Sequence, residues 1–124
     1  MLDELWKRVD IIPPSLALGQ SAIESEWGTS RFAAAGNAMY GQWAWGKNAM
    51  KPKEQRTHLG DYGVAAFKSL QESVSAYMLN LNTHNAYAEL RDRLDEMLKE
   101  EYYNGSYMNN LLINGLYEIK IDCV

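Results

Sequence analysis

Cysteine and histidine are scarce in this sequence, which has one cysteine and two histidines in 124 residues. The single Cys123 excludes an internal disulfide and carries no information on the redox compartment. His58 and His84 have no cysteine, histidine or aspartate partner at ligand spacing, so we expect no metal ion and no cofactor. Cys123 also has no histidine near it in the sequence, which argues against a cysteine nucleophile.

Long apolar runs and an excess of basic residues are absent too. No run reaches the roughly 18 apolar residues that a membrane-spanning helix needs. The formal net charge is −4, whereas a general nucleic-acid binder needs a basic face. Residues 2–8 form an amphipathic, charged segment and not the apolar core of a secretory signal. We therefore expect no nucleic-acid partner, no membrane span and no signal peptide.

The overall composition is that of an ordinary globular protein. Apolar residues make up 47% of the chain and charged residues 23%, so a disordered chain is not expected. A chain of 124 residues is long enough to bury roughly two-thirds of its unfolded surface. We expect one domain over residues 1–124, and a monomer.

The first third of the chain has helical periodicity. Pro14 suits the first turn of a helix whose buried face ends with Trp27, and Gly28 is expected to stop that helix. Thr29 is expected to cap a brief third helix, which residues 36–37 end. A short helix before these is predicted by apolar residues at helical spacing: Leu2, Leu5, Trp6 and Val9.

Between residues 37 and 67 the helical periodicity disappears and glycine recurs. Residues 40–45 and 62–67 are predicted to form two short strands on either side of a loop at residues 47–53. We expect residues 37–67 to be a small β-lobe that faces the second helix.

Helical periodicity returns after residue 68. The sequence SLQE at residues 69–72 is a capping box. The helix that it opens has a predicted buried stripe: Leu70, Val74, Tyr77, Met78 and Leu81. A further helix, which residues 104–105 end, carries a second stripe: Tyr87, Leu90, Leu94, Met97, Leu98 and Glu101. Another helix is predicted near residues 107–112 and a strand-like tail over residues 118–124. The expected fold class is α+β and mainly α-helical.

The stretch at residues 22–32 is the strongest functional signal in the chain. It places Glu24 near the end of an apolar helix, beside Trp27. Apolar surroundings penalise the charged form of a carboxyl group, which then stays protonated and can give a proton to a leaving oxygen. Glu26 points about 200° away around the helix and is expected to be exposed. The aromatic residues at 40–45 add flat surface of the kind that stacks on sugar rings, so carbohydrate cleavage is indicated.

Three separated blocks carry a resemblance to a known family. They are IESEWGTSRF at residues 23–32, GN at 36–37 with YGQW at 40–43, and NLNTHNAY at 80–87. These blocks resemble the glucosaminidase family of peptidoglycan hydrolases, and within it the Bax-like branch, from about residue 13 to residue 91. The resemblance implies a lysozyme-like fold and cleavage of β-1,4 bonds in the glycan strands of bacterial cell wall. It also implies a location in the cell envelope, either periplasmic or secreted. We expect the chain to be a single domain that lacks its flanking segments.

The resemblance assigns the general acid to Glu24, while the second catalytic group stays open. Hydrolysis with inversion at the anomeric carbon would need a second carboxylate, roughly 6.5–9.5 Å from the general acid, to activate water. Many members of the family supply a glutamate shortly before the second strand, but residues 56–63 contain none. Asp61 is the nearest acid there, and next to Gly60 it equally suits a turn. Otherwise the 2-acetamido oxygen of the substrate attacks the anomeric carbon.

The remaining candidate residues come from the resemblance in the case of Tyr87 and from side-chain chemistry in the other cases. Tyr87 matches a tyrosine near the reaction centre, although it also begins a helical stripe typical of core residues. His84 either lines the cleft or caps the following helix. The expected sugar-binding residues are Asn37, Tyr40, Gln42, Trp43 and His84. Asn37 alternatively holds a left-handed turn, Trp43 alternatively packs in the β-lobe, and Trp27 is expected in the core.

Two other functions remain open at this point. A lytic transglycosylase uses a single glutamate in the same fold and forms an anhydro product. The missing glutamate of the β-lobe is compatible with it, whereas YGQW at residues 40–43 in place of a Gly-Leu-Met-Gln run disfavours it. The other alternative is a glycan-binding or assembly module that has lost catalysis.

Overall fold

The computed structural model describes residues 1–9, 12–47 and 49–104. Five α-helices lie in this part of the chain: α1 at Leu2–Arg8, α2 at Pro14–Glu24, α3 at Arg31–Gly36, α4 at Leu70–Thr83 and α5 at Ala88–Asn104. Two strands, β1 at Trp43–Trp45 and β2 at Tyr62–Val64, form an antiparallel sheet. Two 3₁₀ helices are at Thr57–Leu59 and Asn85–Tyr87. The mainly helical α+β fold is confirmed, while the predictions for residues 107–112 and 118–124 lie outside the described residues.

The chain divides into two compact units, and the division falls within α2 and α4. The first unit contains residues 1–19 and the described residues from Met78 onward. The second unit contains residues 20–77.

In the first unit, α1 is attached through its polar side. Lys7 Nζ lies 2.6 Å from Asp92 Oδ1 on α5, and Arg8 Nη1 donates to the Thr83 carbonyl at 2.9 Å. The apolar residues whose spacing predicted this helix are exposed: Leu2, Leu5, Trp6 and Val9. The helix is therefore confirmed, but its apolar stripe does not form core within the described residues.

A buried arginine joins α4 to α5 in the first unit. Arg91 on α5 is buried, and its Nη1 donates to the carbonyls of Leu81 at 2.7 Å and His84 at 2.9 Å. Carbonyls at a helix C-terminus have no intrahelical partner, so a buried cation satisfies them well. Leu81 and Leu94 are buried as their stripes predict.

In the second unit, the sheet pairs Trp43 with Val64 and Trp45 with Tyr62. Met50 extends the pairing, because its N–H donates to the Val64 carbonyl and its carbonyl accepts from the Val64 N–H. The two predicted strands are confirmed, although each is shorter than the segment that predicted it. The intervening loop thus returns to the sheet at Met50.

The helix caps agree with the sequence at α4 and differ at α3. Ser69 Oγ accepts from the Glu72 N–H at 3.2 Å, and the Glu72 carboxylate accepts from the Lys68 N–H at 2.9 Å. The capping box is thus present, with its acidic partner bonded one residue earlier than usual. The N-cap of α3 is Ser30 and not Thr29, because Ser30 Oγ accepts from the Ala33 N–H.

The buried face of α4 contains a serine that the hydrophobic pattern does not predict. Ser73 is fully buried, and its Oγ accepts from the Met39 N–H at 3.3 Å. Leu70, which was predicted in the stripe, is exposed in the first turn. Tyr77 is buried one turn after Ser73. In the second unit, α4 therefore holds the segment before β1 through the hydrogen bond of Ser73 and through the stacking of Tyr77 on Tyr40.

Candidate functional site

The end of α2 has the hydrogen bonds of a Schellman motif. The Trp27 N–H donates to the Ala22 carbonyl at 2.7 Å, and the Glu26 N–H donates to the Ile23 carbonyl at 3.3 Å. Glu26 and Trp27 have φ angles of 53° and 57°. This motif normally places glycine in the left-handed position after the helix. Here two residues with side chains take left-handed conformations directly after the helix that carries Glu24.

The prediction that Gly28 stops this helix is wrong, because α2 ends at Glu24. Gly28 is left-handed too, but it follows two residues that have already left the helix. The turn therefore begins directly after the candidate acid.

Ser25 is fully buried and fixes this turn. Its Oγ donates to the Ser21 carbonyl at 2.6 Å and accepts from the Gly28 N–H at 2.8 Å. The Ser25 carbonyl accepts from the Ser30 N–H at 3.0 Å, so the turn is also tied to the cap of α3. These bonds hold the backbone on the C-terminal side of Glu24.

The side chains around Glu24 differ from the expected apolar pocket. Glu24 is half-buried. Ile23 is 59% exposed and Trp27 is 83% exposed, so the two residues expected to surround the carboxyl group do not enclose it. The expectation that Trp27 lies in the core is wrong, because the left-handed turn takes it off the helix. Glu26 is exposed as expected.

One turn before Glu24, a buried polar pair links α2 to α4. Gln20 is buried, and the Tyr77 hydroxyl donates to its Oε1. The Tyr77 ring stacks on Tyr40, with centroids 3.8 Å apart and planes 10° apart. Hydrophobic periodicity does not predict this pairing, although a glutamine on an otherwise apolar helix face is a signal for a buried partner.

Tyr40, which was expected to contact sugar, is therefore a core residue. Its side chain is buried, and one face of its ring is covered by Tyr77. Burial raises the pKa of the Tyr40 phenol above its usual value, because the charged form is desolvated.

The sheet carries a cluster of three aromatic rings. Trp43 is half-buried. The centroid of its ring lies 5.4 Å from the ring centroid of Tyr62 and 6.0 Å from that of Trp45. Trp45 is 65% exposed. The two tryptophans lie on one face of the strand, as their spacing predicts.

Asn37 and Gln42 differ in how their amides are bonded. Asn37 has a left-handed conformation after α3, and its Nδ2 donates to the Phe67 carbonyl at 2.9 Å. The alternative role as a turn residue is therefore observed. Gln42 Oε1 is buried and has no hydrogen-bond partner among the described residues.

Asp61 lies in an exposed turn and is paired with a lysine. It follows Gly60, whose φ of 72° is left-handed. Asp61 Oδ1 lies 2.5 Å from Lys51 Nζ. The Lys51 carbonyl accepts from Arg31 Nη2 at 2.8 Å, so the same lysine is bonded to the motif that contains Glu24. One oxygen of the Asp61 carboxylate is thus occupied by an ammonium group.

His84 and Tyr87 lie together in the first unit. His84 Nδ1 accepts from the Ala86 N–H at 3.2 Å, so this residue caps the 3₁₀ helix that precedes α5. Its ring is exposed and contacts the Tyr87 ring edge-on, with centroids 6.2 Å apart. Tyr87 is half-buried. The expectation that His84 caps the following helix is therefore confirmed for the 3₁₀ helix.

Within residues 1–9, 12–47 and 49–104, histidine, cysteine and acidic side chains do not form groups of three that could hold a metal ion. In the same part of the chain, the helices are too short or too polar to cross a bilayer.

Comparisons with known proteins agree with the motifs. The sequence model of the glucosaminidase family, described as mannosyl-glycoprotein endo-beta-N-acetylglucosaminidase, matches residues 1–116. Protein bax of Escherichia coli (strain K12) is 39% identical over 97 residues, which are 78% of this chain and 34% of that protein. The chain therefore spans about a third of the length of this curated relative. No solved structure gives a significant match. The family match extends past residues 13–91 on both sides.

Proposed function

The chain belongs to the glucosaminidase family, and we propose that it cleaves β-1,4 bonds next to N-acetylglucosamine in bacterial peptidoglycan with Glu24 as general acid. Family membership supports a glycan hydrolase that acts on peptidoglycan. The observation that carries the assignment is the position of Glu24. It is the last residue of α2, half-buried and followed by a turn that Ser25 fixes. A rigid backbone at an acid favours catalysis, because proton transfer requires a fixed geometry.

In the proposed reaction, Glu24 gives its proton to the glycosidic oxygen as the bond from that oxygen to the anomeric carbon breaks. The carbonyl oxygen of the 2-acetamido group then bonds to the anomeric carbon and forms an oxazolinium ion. Water next attacks the anomeric carbon, the acetamido group is released, and the water proton returns to the Glu24 carboxylate. This route needs no second carboxylate from the protein.

A clearing assay on purified cell wall tests the proposed function. Zones of clearing by the wild type support a lytic enzyme. Retention on the wall without clearing would instead support the glycan-binding module. We propose the cell envelope as the location, because the substrate is there.

Asp61→Asn is expected to lower turnover by less than about tenfold. The reason is that the Asp61 carboxylate is exposed and already accepts from Lys51, while the substrate supplies the attacking oxygen. Turnover is measured on soluble glycan fragments. As a matched substrate control, fragments that lack the acetamido carbonyl should resist cleavage. A loss of about 10²-fold or more with Asp61→Asn would identify Asp61 as the base.

Tyr87→Phe is expected to lower turnover by about tenfold or more without loss of stability. The change keeps the ring that packs on His84 and removes one hydroxyl that we propose donates to the substrate. Rate and thermal unfolding are measured on the same preparation. An unchanged rate with a stability loss of up to about 0.5–1.5 kcal/mol would make Tyr87 a structural residue.

The lytic transglycosylase is the second candidate. The pair between Asp61 and Lys51 favours it, because one oxygen of the acid nearest to the second strand is already bonded to an ammonium group. The two reactions differ in their products. Hydrolysis adds one water at each cut, and transglycosylation adds none.

A further inference from the structure

We propose that Trp27 is a sugar-stacking residue that binds an N-acetylhexosamine ring of the glycan next to the bond that Glu24 cleaves. The inference rests on the proposed function and adds a specific substrate contact to it. Helical periodicity in the sequence instead predicts that Trp27 lies in the core.

The exposure of Trp27 is the first observation. Trp27 is 83% exposed, compared with 71% for Trp6 and 65% for Trp45. Ile23, one residue before the candidate acid, is 59% exposed. The exposed ring of Trp27, in the turn that follows the candidate acid, is accessible to a ligand that packs against an aromatic face.

The backbone of Trp27 is the second observation. Trp27 and Glu26 both have left-handed φ angles, which are unfavourable for residues with a Cβ. Strained conformations of this kind persist where the surrounding bonds impose them, and they concentrate at functional sites. Here the bonds of Ser25 and the bond from the Trp27 N–H to the Ala22 carbonyl impose it. The turn therefore fixes the backbone from which the indole ring projects, which lowers part of the entropy cost of binding.

The position of the ring relative to the candidate acid is the third observation. Trp27 is three residues after Glu24, and its N–H is bonded to Ala22, two residues before Glu24. A ligand that stacks on the indole therefore lies near the end of α2.

The chemistry of the surroundings favours a neutral sugar. The exposed carboxylate of Glu26 lies in the turn, so an anionic ligand such as a nucleotide would meet like charge. The face of an N-acetylhexosamine is lined by C–H groups and matches a flat aromatic surface. Its acetamido methyl group would find apolar surface at the exposed Ile23.

Binding of a tetramer of N-acetylglucosamine, measured by titration calorimetry, tests the inference. All proteins carry Glu24→Gln, so that the ligand is not consumed. Trp27→Ala should weaken binding by about tenfold, as expected when part of a large apolar side chain loses its cover. Trp27→Phe should give a smaller loss. Trp6→Ala is the matched control, because Trp6 is similarly exposed on α1. The affinity of this variant for the tetramer should equal that of the parent.

The possible outcomes separate this inference from the proposed function. Equal affinities for Trp27→Ala and Trp6→Ala, in a protein whose wild type cleaves wall, would overturn the stacking role and leave the function standing. Absence of both binding and cleavage would overturn both. The thermal midpoint of Trp27→Ala should match that of the parent, because the side chain is exposed. A lowered midpoint with unchanged affinity would make Trp27 a structural residue and overturn the inference.

Discussion

Glu24→Gln is expected to reduce the release of soluble wall fragments by at least about 10²–10⁴-fold. Glutamine has the shape of glutamic acid but has no proton to give to the leaving oxygen. The bonds that fix the end of α2 involve Ser25 and backbone groups, so they remain in the variant. Folding should be nearly unchanged, and the initial rate of fragment release measures the effect.

Glu26→Gln is the matched control for this variant. Glu26 is exposed and has left the helix, so the same chemical change there should leave the rate near that of the wild type. Activity of Glu24→Gln within about tenfold of the wild type would contradict the assignment of the general acid.

Gly63→Ala is expected to lower the free energy of unfolding by about 2–3 kcal/mol. A Cβ on Gly63 would lie 2.6 Å from the Met50 carbonyl oxygen and 2.9 Å from Ala49 Cβ. The Met50 carbonyl is held by the Val64 N–H at 2.8 Å, so the backbone cannot move away without losing the pairing at the sheet. Urea unfolding of the variant measures the loss.

Gly36→Ala is the control for the sheet variant. A Cβ there would meet the end of the Met50 side chain at 2.5 Å, and that side chain can change its rotamer. The stability change should stay within about 1 kcal/mol. If the two variants lost the same free energy of unfolding, the clash between a Cβ at Gly63 and the Met50 backbone would not be the cause of the destabilisation.

Local signals in the sequence predicted the elements well. The SLQE box at residues 69–72 gave the start of α4, because a cap depends on residues within one turn. The two strands followed from the loss of helical periodicity and from the recurrence of glycine between residues 37 and 67. Both signals lie within one continuous stretch of the chain.

Long-range packing was the part that the sequence could not supply. Gln20 and Tyr77 are 57 positions apart, and neither has a local pattern that names the other. Tyr40 was grouped with the exposed aromatics because its ring type suits sugar, yet Tyr77 covers it. The partner of a side chain in the core is set by the whole fold.

The geometry of the candidate site was predicted only in part. The motif placed Glu24 at the end of a helix, and α2 ends there. Helical periodicity then carried Trp27 into the core, because it assumes that the helix continues. The left-handed angles of Glu26 and Trp27 break that assumption, and residues with side chains give little warning of such a turn.

Mass analysis of the fragments released from purified peptidoglycan tests the central claim most directly. The wild type should release fragments that end in a reducing N-acetylglucosamine with one water added at each cut, and Glu24→Gln should release almost none. Anhydro ends would instead identify a transglycosylase. Fragments with the hydrolytic mass released equally by Glu24→Gln, or no fragments from the wild type, would contradict cleavage by this chain with Glu24 as its acid.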